Sequence, residues 1–510
     1  MTALNYTSTA GDPKLDEAFE RALATAREGR PEPLPHLVGG RFLAAGDVFE
    51  RADPCDPARV VSRAHTASAE VVADAVAAAR AAQPGWAATP LAERVEALRR
   101  IAKLIGERAV EMGAIVSAET GKVRLESVPE VQEGVDLIEA YCGHMERNDG
   151  YVYELGRLSE DEHNTSLMLP YGVFAVICPF NFPFALAVGM STGALVTGNT
   201  VVMKPAEETP WSTGLIAELA VEAGLPDGVL NLVQGDGATG RALVDAGIDG
   251  VAFTGSAEAG HAIARTLHAT RPLRPLIVEM GGKNPAIVTN HADLDTAAAG
   301  IVRSAYGLAG QKCSSCSRVV VEREVHDELV ERIAAGAREL VLGDPADPAT
   351  SLGPVAGSGA SERFDAAAAD ARRDGRIAAG GQRDGTFVQP TLVTGLPRGH
   401  RLTREELFLP FLTVTPVDSL DDAIAEANAV EYGLTAGIFS GEEAEVQAFL
   451  DRIEAGVVYV NRRAGATTGA WPGIQTFCGW KASGASGKGG LGPHYVMQFM
   501  REQSRTIVRG

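Results

Sequence analysis

The chain has 510 residues, enough for two to four compact units at roughly 150 residues each, so a single small module is excluded. Lys and Arg number 46 against 66 Asp and Glu; the formal charge of −20 repels phosphate polyanions and anionic lipid, which excludes a nucleic-acid or membrane-surface binder. Hydrophobic residues at 45% and charged ones at 22% are the balance of a folded, soluble protein rather than a disordered chain.

The first thirty residues mix acidic and basic side chains (GDPKLDEAFERALATAREGR) and lack the apolar core of an export signal. Cys55, Cys142, Cys178, Cys313, Cys316 and Cys478 are too sparse and irregular for a secreted disulfide framework, so a reducing cytoplasm is expected. Apolar positions at helical spacing predict helices over 14–29, 68–83 and 90–142. Short alternating runs around Tyr151, Val152 and Tyr153 then predict a hairpin within 145–170. No Asp, Glu, Lys or Arg occurs from His163 to Met203, but Pro179, Asn181 and Pro183 interrupt the run. It therefore reads as a buried strand and helix rather than a membrane span.

From residue 171, GVFAVICP, NTVVMKP, GVLNLVQG, GVAFTGS and PLIVEMGG alternate with helical stretches, the pattern of a parallel sheet with crossover helices. A second such series runs from about 285 to 465, with strands at NPAIVTN, SRVVVE, FLTVTPV, TAGIFS and GVVYVN. The fold class is α/β, with two Rossmann-like lobes. The tail segment REQSRTIV alternates and is expected to pair with the 145–170 hairpin.

Several segments have chemistry to offer. GDGATG, Gly235 to Gly240, matches a dinucleotide fingerprint between a strand and a helix, and FTGS places Gly255 and Ser256 at a helix start where backbone N–H groups face a pyrophosphate. GMSTG fits the nucleophile elbow of a serine hydrolase around Ser191, but the residues before it read as helix where that elbow needs a strand. Cys313 and Cys316 have the spacing of a redox dithiol or half a zinc site; with no second pair of ligands, no metal is expected. Cys313 lies in polar GQKCSS, unlike a core cysteine, and is the candidate nucleophile. Such a thiol needs an oxyanion donor and a base. Asn181 in PFNFP and Glu279 in VEMGG stand at strand ends where they can serve, and MKPAEETP brings Lys204 and Glu207 to a third strand end. Taken singly, a strand-end Asn, Glu or Lys is more often a helix cap or a surface ion pair.

Together, PFNFP, KPAEETP, FTGS, VEMGGK, GQKCS, EELF and FCGWKASG resemble, in order and over nearly the whole chain, the NAD(P)-dependent aldehyde dehydrogenase superfamily. The resemblance implies a cofactor unit from residues 1–144 and 171–284 and a catalytic unit from 285–465. It also implies an oligomerisation sheet from 145–170 and 490–510, and a substrate anchor loop at 466–489. It implies a small-molecule aldehyde substrate and a homo-oligomer, at least a dimer. Cys313 would attack the aldehyde, Asn181 and the Cys313 N–H would hold the oxyanion, and Glu279 would activate water against the thioester. Lys204 and Glu207 would bind the adenosine ribose, Gly255 and Ser256 the pyrophosphate, and Glu406 with Phe408 the nicotinamide riboside. GDGATG would then be a decoy. An acidic Glu207 repels a 2′-phosphate, which favours NAD over NADP.

Within the superfamily, SAYGLAGQKCSSCSR and Thr468-Gly469-Ala470 resemble the branch that oxidises L-glutamate γ-semialdehyde. That resemblance assigns Ser314, Gly469 and Ala470 to the substrate carboxylate, Glu133 to its ammonium group and Phe477 to its aliphatic chain. Thr476 and Cys478 depart from the usual proline and glycine, and Leu409 from a glycine, so another semialdehyde or an aromatic aldehyde is the alternative substrate. A catalytically silent homologue is the alternative of a different class. Oxidation is expected to join Cys313 and Cys316 in an inactive disulfide.

Overall fold

The computed structural model describes residues 13–269, 272–357, 359–463 and 471–509. Its first sheet has seven strands in the order Leu276–Glu279, Gly250–Thr254, Val173–Ile177, Thr200–Lys204, Leu230–Leu232, His36–Val38 and Arg41–Leu43. The five from Leu276–Glu279 to Leu230–Leu232 are parallel, and His36–Val38 joins them antiparallel. Strand alternation feeds two cores. Phe174 and Val176 pack with Leu137, Phe184 and Leu195 on one face, while Val173, Ala175 and Ile177 pack with Val72, Leu243 and Leu267 on the other. This is why these runs read as continuously apolar.

The second sheet orders Arg376–Ala379, Thr391–Thr394, Phe411–Val417, Cys316–Glu322, Asn284–Val288, Thr435–Phe439 and Val457–Val460. Only its first pair is antiparallel. Val319 and Val321 face Ile301 and Leu329, and Val320 faces Ile424 and Phe449, so this sheet too is covered on both sides. A third sheet pairs Met500–Val508 antiparallel with Glu162–Pro170, in register from Met500 opposite Pro170 to Val508 opposite Glu162, and adds the short Val152–Glu154.

The expected helical stretch over 90–142 is divided. Leu91–Glu107 and Ala109–Thr120 break at Arg108, and Arg124–Arg147 starts after Gly121, whose φ of 75° closes the preceding helix in the left-handed region. A side chain at Gly121 would strike Pro354 Cγ at 2.6 Å, so glycine is required there twice over. Several strand pieces escape the sequence pattern: the hairpin Val48–Asp53 with Asp56–His65, the short pair His36–Val38 and Arg41–Leu43, the edge strand Arg376–Ala379 and its inner neighbour Thr391–Thr394. Among the described residues no helix is long and apolar enough to cross a membrane.

Candidate active site

Sheet register aligns the strand ends. Val278 lies opposite Phe253, Phe253 opposite Ile177, and Ile177 opposite Lys204, so Glu279, Thr254, the PFNFP turn and Lys204 emerge along one edge. From the second sheet, the turn before Cys316–Glu322 brings Cys313 to the same edge. Glu279, Cys313, Ser314, Glu133 and Phe477 all line one cavity of about 500 Å³, together with Phe182, Tyr141, Tyr495 and Lys312. Five residues separated by up to 344 positions in sequence thus share one space.

The thiol and the carboxyl are both held in their neutral forms. Burial, with the carboxylates of Glu406 and Glu279 adding to it, pushes the Cys313 thiol up to about 12, so the residue rests as a thiol rather than the expected thiolate. Burial likewise raises Glu279 to about 8, against the backbone N–H groups of Gly490 and Gly479 that pull it down. Its Oε2 has no hydrogen-bond partner among the described residues. An unsatisfied carboxyl oxygen facing a cavity next to a thiol is where a water or a transferred proton fits.

Asn181 is buried, and its Nδ2 donates to the Gln311 carbonyl at 2.9 Å, two residues before Cys313. Asn181 itself is not among the residues lining the cavity, which its neighbour Phe182 reaches; a second N–H on the same nitrogen remains for an oxyanion. Gly281 and Gly282 follow Glu279 through a narrow passage. A Cβ on Gly281 would lie 2.0 Å from Glu406 Oε2, and one on Gly282 would lie 2.4 Å from the Cys313 carbonyl oxygen. The pair of glycines therefore lets the base, the nucleophile and Glu406 converge. Glu406 accepts the Gly282 N–H at 2.9 Å, and burial raises it to about 7. Phe408 sits at φ 56° with its ring edge-on to Phe180 at 5.8 Å, beside the PFNFP turn.

The remaining cofactor candidates lie along the same edge. Lys204 is buried, donates to the Pro205 carbonyl at 2.5 Å and faces the exposed Glu207 at 3.9 Å; burial lowers its pKa. Ser256 caps the helix Ala257–His268 by accepting from the Ala259 N–H, and Gly255 makes room for the Phe253 ring, which a Cβ would meet at 2.5 Å. This donor set fits a dinucleotide: an ammonium and a carboxylate for ribose hydroxyls, a helix start for the pyrophosphate, and a second carboxylate beside the thiol. In GDGATG, Asp236 caps the following helix through the N–H groups of Ala238 and Thr239, a structural reason for that motif.

Glu133 is buried on the cavity wall and not on a solvated helix face. Phe477 bridges to Gly490, its N–H donating to the Gly490 carbonyl at 2.9 Å. Gly469 and Ala470 lie outside the described residues. The expected disulfide is not supported. Cys316 is buried in the second-sheet core beside Val302 and Tyr306, its thiol donates to the Arg318 carbonyl at 3.4 Å, and it does not line the cavity that Cys313 faces. All six cysteines are free. Ser191 is buried mid-helix with its hydroxyl against Met203 Sδ, which removes the hydrolase elbow. Among the described residues no three His, Cys, Asp or Glu gather as a metal site.

Sequence reasoning missed two features. Lys312 lines the cavity beside the nucleophile, its Nζ against Gly307, and burial lowers its pKa. Lys122 and Glu130 form a fully buried ion pair behind the PFNFP turn. The signal for the second lay in Ala109–Thr120, apolar on nearly every side; a helix of that kind is buried, and so is the lysine that follows it.

Comparison with known proteins gives the same picture. A model described as the aldehyde dehydrogenase family matches residues 43–504. A protein named 1-pyrroline-5-carboxylate dehydrogenase from Bacillus cytotoxicus is 35% identical over 499 residues, covering 96% of either chain. A solved 1-pyrroline-5-carboxylate dehydrogenase from Thermus with bound NAD superposes with a TM-score of 0.94 at 32% identity, over 98% of both chains. Proline utilization A from Bdellovibrio bacteriovorus, inactivated by N-propargylglycine, gives 0.93 at 33% identity over 97% of this chain, which spans 52% of that longer protein.

Proposed function

Since the chain belongs to the aldehyde dehydrogenase family, we propose that it oxidises L-glutamate γ-semialdehyde to glutamate with NAD, as the relatives' name for the cyclised substrate indicates. The observation that carries this reading is the single cavity in which Cys313, Glu279, Ser314, Glu133 and Phe477 meet. Glu133 offers a carboxylate to an ammonium group, Ser314 a hydroxyl to a carboxylate, and Phe477 an apolar wall to the chain between them.

Cys313 rests protonated, so as the carbon–sulfur bond forms its proton passes to water in the open cavity and on to solvent. Asn181 and the Cys313 N–H receive the negative oxygen. NAD, when bound, supplies the acceptor for the hydride that leaves this carbon. Glu279 then takes a proton from water, whose oxygen attacks the resulting thioester; the carboxylic acid departs and the sulfur regains its proton. Lys204 and Glu207 hold the adenosine ribose, Gly255 and Ser256 the pyrophosphate, and Glu406 with Phe408 the nicotinamide end. In this reading residues 171–284 with 1–144 form the cofactor unit and 285–465 the catalytic one.

The protein works as at least a dimer. The two outer strands of the third sheet leave Val152 and Tyr153 exposed at one edge and Ile507 and Val508 at the other, and unpaired apolar edges invite a second copy. Six free thiols fit a reducing cytoplasm. Steady NADH formation with pyrroline-5-carboxylate, faster than with unsubstituted alkanals and lost in Cys313→Ala, is the expected result. Equal rates for both substrate classes would reject the substrate, and turnover by Cys313→Ala would reject the chemistry.

A further inference from the structure

We infer that the buried Lys122–Glu130 pair is a positioning device for the Asn181 amide, acting through the backbone between Asn181 and Ala185. The inference rests on the oxyanion role proposed for Asn181. Both side chains are fully inaccessible to solvent, and Lys122 Nζ donates to Glu130 Oε2. Neither residue is among those lining the cavity; both stand behind the PFNFP turn, whose Phe182 does line it.

Their contacts converge on one short segment. Lys122 Nζ stands 3.6 Å from the centre of the Phe182 ring, the residue directly after Asn181, and that ring lines the cavity. Glu130 Oε1 accepts the N–H of Phe184 at 2.9 Å and of Ala185 at 3.4 Å. These N–H groups begin the helix Ala185–Val196, whose first turn has no capping side chain of its own. Thr213 Oγ1 donates to the Pro183 carbonyl at 3.1 Å, and Asn181 itself is fixed at the Gln311 carbonyl. The turn is thus gripped at every residue from Asn181 to Ala185, and the only ionised grip is the pair behind it.

A buried ion pair is a poor source of stability, since desolvation offsets most of the attraction. Its merit is directional: one carboxylate is spent on a backbone, one ammonium on a ring face, and each fixes the other. An amide must sit about 2.7–3.1 Å from the developing oxyanion, with a tolerance of a few tenths of an ångström, to act on it, and the segment that carries Asn181 has no other polar anchor from the helices Ala109–Thr120 and Arg124–Arg147 among the described residues.

The test is a double-mutant cycle on the full-length enzyme, read as the rate of the first NADH burst, as kcat and KM, and as the melting temperature. Glu130→Gln keeps an acceptor for both N–H groups and is the milder variant; Lys122→Met removes the ammonium from Phe182. Each is expected to slow the burst tenfold or more while KM for the aldehyde moves less than threefold. In an Asn181→Ala background, the same substitutions should change the burst rate less than twofold, because the amide they position is gone. Equal fold losses in both backgrounds would overturn the inference, as would unchanged burst rates in the single variants. If Asn181→Ala alone leaves the burst rate intact, the oxyanion role fails first, and the inference with it. Should Lys122→Met not fold, the Glu130→Gln arm of the cycle decides alone.

Discussion

Two carboxyl groups drawn away from bulk solvent, the fully buried Glu130 behind the PFNFP turn and the half-buried Glu279 at the end of Leu276–Glu279, sit in opposite circumstances. Glu130 has every oxygen engaged, by Lys122 and by the Phe184 and Ala185 N–H groups. Glu279 keeps Oε2 unpartnered and opens on the cavity beside Cys313. A satisfied buried charge holds structure; an unsatisfied one is available to move a proton.

The sharpest way to test the contrast is to neutralise the working carboxyl. Glu279→Gln should lower kcat by about 10²–10⁴ while a burst of NADH persists, because only the hydrolytic half needs the base. Rapid-mixing absorbance checks it, and steady turnover at the native rate would exclude Glu279 from the role. Next in size, Glu130→Ala should cost about 3–5 kcal/mol by leaving the Lys122 ammonium buried alone, whereas Glu279→Ala should stay within about 1 kcal/mol. Chemical unfolding monitored by circular dichroism separates the two; comparable losses would erase the distinction.

The contrast also predicts a pH signature. With Glu279 raised to about 8, its protonated form dominates at neutrality, so the hydrolytic rate should climb about tenfold per unit well below that value and level above it. The slope should vanish in Glu279→Gln, and a profile identical in both proteins would place the titration elsewhere. A smaller effect is expected at the passage between the two carboxylates Glu279 and Glu406. A Cβ on Gly281 would displace Glu406 Oε2, and Gly281→Ala should raise KM for NAD about tenfold, ~1.4 kcal/mol, in initial-rate measurements. The smallest belongs to Ser191→Ala, which should leave activity unchanged and shift stability by less than about 0.5 kcal/mol.

Much of the fold was legible because both seven-stranded sheets are covered on two faces, which makes their parallel strands continuous apolar runs such as GVFAVICP and SRVVVE. The strands that went unread lie at a sheet edge or next to one. Arg41–Leu43 is exposed throughout, and Arg376–Ala379 and Thr391–Thr394 have four residues each, too few to establish a period. In the site, Glu279 and Asn181 stood out because polar residues ended apolar strands, and Cys313 because GQKCSS surrounds a cysteine with polar neighbours. Lys122 and Glu130 did not, since a lysine and a glutamate eight positions apart in a helical region look like solvated surface, and the one signal against that, the all-round apolar helix Ala109–Thr120 before Lys122, is indirect. Glu133 was ambiguous for the same reason. The Cys313–Cys316 pairing misled because spacing carries no direction: the second thiol begins a strand and turns into its core.

The segment from Leu491 to Phe499 closes the cavity from below, with Leu491 and Tyr495 on its wall and Phe499 packed on Phe174 at 5.0 Å. A ribosome delivers Glu279 and Cys313 long before these residues. The cavity around Cys313 is therefore incomplete until residues 491–499, more than 170 positions downstream of the thiol, have returned to pack against the first sheet.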